Sequence, residues 1–213
     1  FDEFHGGGGG ELLGDAADAE HGLIVHWYVK LKVGLAVAFG EDERIATRDG
    51  KVFKAGDVDY KFSIQSVSKP FTAALVMSEQ GPEVLKEKIG VEPTGLPFNS
   101  KLALAIHEDA VNPLVNAGAI AAVSLVQATS EQERWNKIQQ NLSDFAGRPL
   151  TVLEKVYDSE YTTAYGNRGI ANLLYNWGRL YSDPEEALRV YTRECSVGVS
   201  AQDLGMMGAT LAN

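Results

Sequence analysis

The 213-residue sequence is poor in the features that mark secreted, membrane and metal-binding proteins. Its single cysteine, Cys195, excludes a disulfide within the chain and suits a reducing cytoplasm. No window approaches the ~18 uninterrupted apolar residues that a membrane span needs, and no secretory signal is recognisable. The four histidines show no spacing typical of zinc ligands. We therefore expect a cytoplasmic location and a chemistry that uses no metal.

Positive charge is also scarce. The chain carries 29 acidic and 19 basic residues, which gives a formal net charge of −10. Such a balance argues against a nucleic-acid-binding face and against attraction to anionic lipid. Hydrophobic residues make up 45% and charged residues 23%, ordinary values for a globular domain. A small-molecule ligand is the resulting expectation, with no nucleic acid and no membrane as partner.

Hydrophobic patterning divides the chain into a strand-rich start and a helical remainder. Residues 1–30 are poorly defined and include an unbroken glycine run at 6–10. Residues 35–39 form a strand candidate, and segments 44–48 and 51–54 flank Asp49-Gly50, a hairpin signal. Segment 116–128 is apolar nearly all round, as in a buried helix. Two amphipathic stripes come after it: Trp135, Ile138, Leu142 and Phe145, ending at Gly147, and Ile170, Leu173, Leu174, Trp177 and Tyr181.

Two further helix starts are visible in local capping signals. Asp183 precedes Pro184 and two acidic residues, the pattern of a capped helix with proline in its first turn. Ser200 with Asp203 resembles a capping box. The sequence therefore predicts a single α+β domain in which one antiparallel sheet packs with many helices.

A possible catalytic pair stands at Ser66-Val67-Ser68-Lys69. Residues three apart on a helix share a face, so the Lys69 amine can meet the Ser66 hydroxyl. A desolvated lysine loses its proton more readily and can serve as a base. The alternative is a surface helix in which Ser66 caps the start and Lys69 points into solvent. Pro70 removes the N–H that the Ser66 carbonyl would use in an α-helix, which predicts a distorted first turn.

The motif sits among longer blocks that are more specific. They are residues 62–69, residues 92–100 and residues 112–120, with Ala55-Gly56-Asp57 before them and residues 173–183 and 191–196 after them. In this order and spacing the blocks strongly resemble the bacterial glutaminases, over about residues 49–213. The resemblance implies a β-lactamase/DD-peptidase-like fold, an antiparallel sheet flanked by a largely helical subdomain. It also implies hydrolysis of L-glutamine without a cofactor, by a homo-oligomer such as a dimer or tetramer.

The resemblance implies roles for six residues. Ser66 is the nucleophile, Lys69 is the motif lysine, and Tyr191 lies at the reacting centre and shares the role of base. The positions that bind substrate are Ser66, Asn116, Glu160, Asn167 and Tyr191. Elementary chemistry agrees, because the ammonium of glutamine requires a carboxylate when it is bound in a closed pocket.

Each of these residues also has a purely structural interpretation. Asn116 could cap the buried helix, and Asn167 could cap a helix that starts near Arg168. Glu160 could be a solvated acid, the usual situation of a glutamate. Tyr191 lies on the apolar side of its helix and could be a core residue. Cys195 has no histidine partner and reads as a small buried hydrophobe.

Two rival functions remain open. One is a penicillin-recognising serine hydrolase, because Tyr165-Gly166-Asn167 fits the Y-x-N motif of some β-lactamases; the absence of a secretory signal counts against it. The other is an inactive homologue that serves as a binding module.

The sequence also departs from the family pattern. Tyr28 is the nearest match to a tyrosine that touches substrate in the family, and the resemblance there is too weak to assign it. The sequence ends at Leu211-Ala212-Asn213 without the lysine-serine-glycine strand of the family. The expected organisation is thus one domain, 1–213, lacking its C-terminal strands.

Overall fold

The computed structural model describes residues 29–30, 33–38, 43–47, 52–56, 58–101 and 110–212. Its first four strands form an antiparallel meander in the order β1 (Val29–Lys30), β2 (Val33–Ala38), β3 (Glu43–Thr47) and β4 (Val52–Ala55). In this sheet Ala46 pairs with Val52, so the two strands of the expected hairpin are confirmed. The turn at Asp49-Gly50, the glycine run, Tyr28 and the four histidines lie outside the described residues.

Helices dominate the described chain from residue 65 onwards. A 3₁₀ turn (Gln65–Ser68) leads into α1 (Lys69–Gln80), and then come α2 (Glu83–Lys88), α3 (Asn116–Leu125), α4 (Glu131–Ala146), α5 (Glu154–Thr163), α6 (Tyr165–Asn176), α7 (Pro184–Cys195) and α8 (Ala201–Leu211). A second antiparallel sheet has the order β5 (Phe62–Ser63), β7 (Val197–Val199) and β6 (Thr151–Val152). The predicted antiparallel strands and many helices are confirmed, but the described strands form two sheets and not the single sheet expected, because β5, β6 and β7 pair only with one another. Within the described ranges, no helix is long and apolar enough to cross a membrane.

The predicted helix ends are found where local signals gave them. Asp183 accepts hydrogen bonds from the backbone N–H groups of Glu185 and Glu186 and caps α7. Ser200 and Asp203 form a complete capping box at the start of α8. Gly147 ends α4 in the left-handed conformation, with φ +68°, which glycine adopts without steric cost.

The core lies between α1, α3, α4, α6 and α7. Helix α3 is buried all round, as its apolar sequence predicts, although it ends at Leu125 and not at residue 128, because Val126 is no longer helical (ψ +123°). The amphipathic stripe predicts that Leu173 is buried, and this prediction is wrong, since its side chain is 38% exposed. The next residue, Leu174, is fully buried and takes the core position, about 100° further round the helix.

The turn before α1 is not α-helical. Pro70 stands in the first turn of α1 and has no N–H to offer the Ser66 carbonyl. That carbonyl accepts instead from the backbone N–H of Lys69, one residue earlier, and this i→i+3 bond defines a 3₁₀ turn. The distorted first turn expected from Pro70 is therefore present.

Candidate active site

Ser66 and Lys69 form the chemical centre of the site. The Lys69 amine Nζ lies 3.0 Å from the Ser66 hydroxyl Oγ. Lys69 is only 3% exposed, whereas Ser66 lies open to solvent. The solvated-lysine alternative therefore does not describe this turn. Gln65, just before Ser66, has a φ of +52°, an unusual conformation for a side chain that carries a Cβ.

The surroundings of Lys69 favour its neutral amine. Burial lowers the pKa of Lys69 from its ordinary value, and Cys195 and Glu194 act in the opposite direction. The Phe98 ring lies on the other side, with its centroid 5.3 Å from Nζ. A neutral amine can take a proton from an adjacent hydroxyl.

Asn116 connects the lysine to the rest of the site. Its side-chain oxygen accepts hydrogen bonds from Lys69 Nζ at 2.8 Å and from the Tyr191 hydroxyl at 3.4 Å. Its amide Nδ2 donates to the side-chain oxygen of Asn167 at 3.1 Å. Its side chain does not cap α3, whose cap position is Val115. The backbone N–H of Asn116 donates to the Phe98 carbonyl, which holds the loop before residue 101 against the start of α3.

Tyr191 is buried on the face of α7 that meets the 3₁₀ turn. Burial, with smaller effects from Cys195 and Glu194, raises the pKa of Tyr191 well above its usual value, and a hydrogen bond with Ser66 acts against this rise. Its phenol thus stays protonated near neutral pH and serves as a hydrogen-bond donor. Tyr191 is thus a core residue by its burial, and its hydroxyl also contacts Asn116; its role at the reacting centre stays a prediction.

Glu160 and Asn167 approach the site from α5 and from the first turn of α6. Gln65 Nε2 donates to Glu160 Oε1 at 2.5 Å and also to the Ser63 hydroxyl at 2.9 Å. Glu160 is half-buried and is held next to the residue that precedes Ser66. The six residues singled out from the sequence are thus brought into one cluster.

Two residues of this cluster were missed by the sequence reasoning. Gln65 carries no signal of its own, since a glutamine before a serine is unremarkable. Glu194 does carry one, because it follows Tyr191 by three positions and Ala187 by seven, the spacing of the buried stripe of α7. A charged residue in such a stripe marks a buried ionisable group. Cys195 is buried, as expected.

The Y-x-N motif is only partly in the cluster. Asn167 joins it, but Tyr165 is 75% exposed and makes no part of the hydrogen-bonded network around Lys69. The tyrosine that occupies the centre is Tyr191.

The chain is similar in sequence to known proteins. A family model described as glutaminase matches residues 41–213. The glutaminase of Brucella canis is 54% identical over 169 residues, which are 79% of this chain and 53% of that protein. The glutaminase of Mycobacterium ulcerans is 51% identical over 170 residues, again 79% of this chain and 53% of that protein.

Solved structures show the same similarity in three dimensions. A probable glutaminase, ybaS, is 47% identical with a TM-score of 0.77, and the match covers 79% of this chain and 55% of that one. A Bacillus glutaminase is 30% identical with a TM-score of 0.76, over 79% of this chain and 57% of that one. The chain spans about half the length of the curated relatives it matches. By sequence and by fold, it belongs to the glutaminase family.

Proposed function

We propose that the protein hydrolyses L-glutamine to L-glutamate and ammonia through a glutamyl ester of Ser66. The observation that carries this proposal is the 3.0 Å contact between the exposed Ser66 hydroxyl and the buried Lys69 amine. The exposed oxygen can reach a substrate, and the desolvated nitrogen can accept its proton. Membership of the glutaminase family supports the choice of substrate.

The reaction follows from this geometry. Lys69 takes the proton of Ser66 as Oγ bonds to the carboxamide carbon of glutamine, and we assign the backbone N–H of Ser66 as one hydrogen-bond donor to the developing oxyanion. Lys69 then gives the proton to the departing nitrogen, the C–N bond breaks and ammonia leaves. Water attacks the ester with Lys69 again as base, which releases glutamate and restores Ser66. The raised pKa of Tyr191 favours Lys69 over a phenolate as base, with Tyr191 as proton donor or relay.

The amino-acid end of the substrate is assigned to the other polar residues. The Glu160 carboxylate suits the α-ammonium, and the amides of Asn116 and Asn167 offer both donors and acceptors for the α-carboxylate. Gln65 fixes Glu160 in place by its 2.5 Å hydrogen bond. A related structure, Mglu, 33% identical with a TM-score of 0.73, is described in a glutamate form, in keeping with a site for this product.

The remaining expectations stay proposals. They are a β-lactamase-like fold class for the single domain, assembly into a homo-oligomer, a cytoplasmic location and hydrolysis without a cofactor. The family relationship supports each of them and no contact described above bears on assembly.

The test is an ammonia-release assay on the full-length protein with glutamine, asparagine and a β-lactam whose ring opening is followed by absorbance. We expect glutamine to be hydrolysed and the β-lactam to be left intact. Ser66→Ala, which removes the ester-forming oxygen, should abolish turnover by a factor approaching ~10⁶ while the fold is kept. Retention of more than a few per cent of wild-type turnover by Ser66→Ala would contradict the mechanism. Preferential β-lactam hydrolysis would establish the penicillin-recognising alternative, and a folded wild type without any turnover would establish the binding module.

A further inference from the structure

A buried carboxylate lies behind the proposed base and takes no part in the mechanism above. Glu194, in the last turn of α7, is 1% exposed, and its Oε2 atom has no hydrogen-bond partner in the described part of the chain. It stands one helical turn after Tyr191, on the face that packs against the 3₁₀ turn. A carboxylate in such a place is unfavourable without a positive charge nearby.

The groups around Glu194 come from the turn that carries the catalytic pair. The hydroxyls of Ser68 and Thr72 lie close enough to lower the pKa of Glu194, although neither forms a well-aligned hydrogen bond. Between them in sequence stands Lys69, the one cation that acts on Glu194 among the residues described. Glu194 in turn acts on Lys69. The two groups are thus a buried acid and a buried base that share one polar environment.

We propose that Glu194 is a positioning residue for this reaction, the buried counter-charge of Lys69 that determines how readily Lys69 gives up its proton. The inference rests on the proposed function, in which Lys69 must be neutral to activate Ser66. An ionised Glu194 favours the Lys69 ammonium, and a neutral Glu194 favours the amine.

The neighbouring ionisable groups do not take part in the electrostatic coupling between Lys69 and Glu194. Burial raises the pKa of Glu194 to about 7, so this carboxyl changes charge near neutrality. Burial also raises the pKa of Tyr191 well above its ordinary value and that of Cys195 to about 12, so both stay neutral there. Glu160, on α5, acts on Cys195 and does not act on Glu194. Lys69 and Glu194 are therefore the two groups of this cluster whose charges are coupled, since each acts on the other.

Glu194→Gln should lower the pKa of Lys69. Glu194→Gln keeps the shape of the side chain and removes its negative charge, and the hydroxyls of Ser68 and Thr72 can donate to or accept from the new amide. The Lys69 ammonium then loses its counter-charge, so the pKa of Lys69 falls. The acid limb of the kcat/KM profile should move to lower pH by about one pH unit, the lower end of the effect of a close opposite charge. Loss of packing alone would lower activity without moving that limb.

The experiment compares wild type, Glu194→Gln, Glu194→Asp and Glu131→Gln. Glu194→Asp retains the charge and should keep the acid limb near its wild-type position. Glu131→Gln is the matched control, because Glu131 forms a partly exposed ion pair with Arg189 of the same helix α7 and is not among the groups that act on Lys69. Its profile should be unchanged.

A second experiment measures the pKa of Lys69 directly. The pKa of Lys69 is obtained from the ¹³Cε shift of labelled lysine against pH, with the signal assigned by its absence in Lys69→Met. It should be lower in Glu194→Gln than in wild type. Because it needs no turnover, it decides the coupling even if the wild type fails to hydrolyse glutamine. An unchanged Lys69 pKa and acid limb in folded Glu194→Gln would overturn the inference and leave the proposed function standing.

Discussion

The side-chain oxygen of Asn116 accepts a hydrogen bond from the Lys69 amine at 2.8 Å, so the acceptor in direct contact with this amine is a neutral amide and not a carboxylate. An amide oxygen orients Lys69 without holding it strongly in the charged form. The chemistry proposed for Ser66 depends on a neutral acceptor at this position. A carboxylate at the same distance would stabilise the Lys69 ammonium and leave no neutral amine to act as base.

Asn116→Asp should therefore impair the enzyme in a pH-dependent way. The new carboxylate raises the pKa of Lys69, so the acid limb of kcat/KM moves to higher pH by about one to three pH units. Turnover at pH 7 should fall by ~10-fold or more and recover partly as the pH is raised. Asn172→Asp, the same change on the exposed face of α6, is the control and should leave the profile in place. A uniform loss at every pH would show that Asn116 acts only through substrate binding.

Glu160→Gln tests the recognition of the substrate ammonium. Wild type should hydrolyse glutamine with kcat/KM ~10²–10³-fold above that for N-acetylglutamine, because acetylation leaves the carboxylate unpaired. Glu160→Gln should narrow this ratio. Glu154→Gln, an exposed acid at the start of the same helix, should preserve it. Equal rates of wild type on the two compounds would mean that Glu160 has another role.

A glycine two residues into α3 tests how the loop before it supports the site. A Cβ built on Gly118 would overlap the backbone oxygen of Asn112, so the loop and the helix cannot both keep their places. Gly118→Ala should lower the free energy of unfolding by about 3 kcal/mol and reduce turnover, since Asn116 stands two residues earlier in contact with Lys69. The measurement is urea unfolding together with the ammonia assay.

Gly169→Ala is the matched control for that substitution. Gly169 lies in helix α6 with nothing within 4 Å of the added Cβ. Alanine there should stabilise the protein by about 0.5–1 kcal/mol, because the unfolded chain loses conformational freedom. Destabilisation of similar size at both positions would refute the packing argument for Gly118.

Asp203→Ala tests the link between α8 and Arg148, which lies just after the end of α4. Asp203 completes the capping box and accepts from Arg148 Nε at 2.6 Å. Burial acts to raise the pKa of Asp203, but the hydrogen bonds from Arg148 and Ser200 prevail and hold it below its usual value. The free energy of unfolding should fall by about 2–3 kcal/mol at pH 7.

The pH dependence of that loss has a definite sign. A carboxyl whose pKa is lower in the folded state stabilises fully above its unfolded pKa of about 3.9, and the contribution disappears as the pH falls further. The difference between wild type and Asp203→Ala should thus be constant from pH 5 to 7 and shrink towards pH 3. Glu131→Ala, which breaks a partly exposed ion pair with Arg189, should lower the free energy of unfolding by less than about 1 kcal/mol. A difference that grows on acidification would exclude this role of Asp203.

Local features of the fold were predictable from the sequence because their causes lie within a few residues. The caps at Asp183 and Ser200 and the spacing of Ser66 and Lys69 depend on one or two turns of helix. The error at Leu173 has a different origin. An apolar stripe gives the direction of the buried face only to within about one residue, and packing decides which of two adjacent leucines is covered.

The gathering of Asn116, Glu160, Asn167 and Tyr191 could not be derived from local pattern. These residues come from α3, α5, α6 and α7, and each taken alone favoured a structural interpretation. Only the resemblance to a family placed them together, and the hydrogen bonds through Asn116 and Gln65 now give the physical reason. The burial of Glu194 could have been predicted, since the sequence shows a charged residue on a buried stripe. Its electrostatic interaction with Lys69 could not, because the two residues are 125 positions apart.

Pro70 shapes the site because it has no backbone N–H to donate to the Ser66 carbonyl. In a regular α-helix, positions 66 and 69 are separated by about 60° around the axis, whereas in a 3₁₀ turn the residues i and i+3 eclipse one another. The imino acid thus imposes the tighter winding that stacks the Ser66 and Lys69 side chains along one line. Through the backbone, Pro70 thus aligns the proposed nucleophile Ser66 with the proposed base Lys69, and no side-chain rearrangement can undo this alignment.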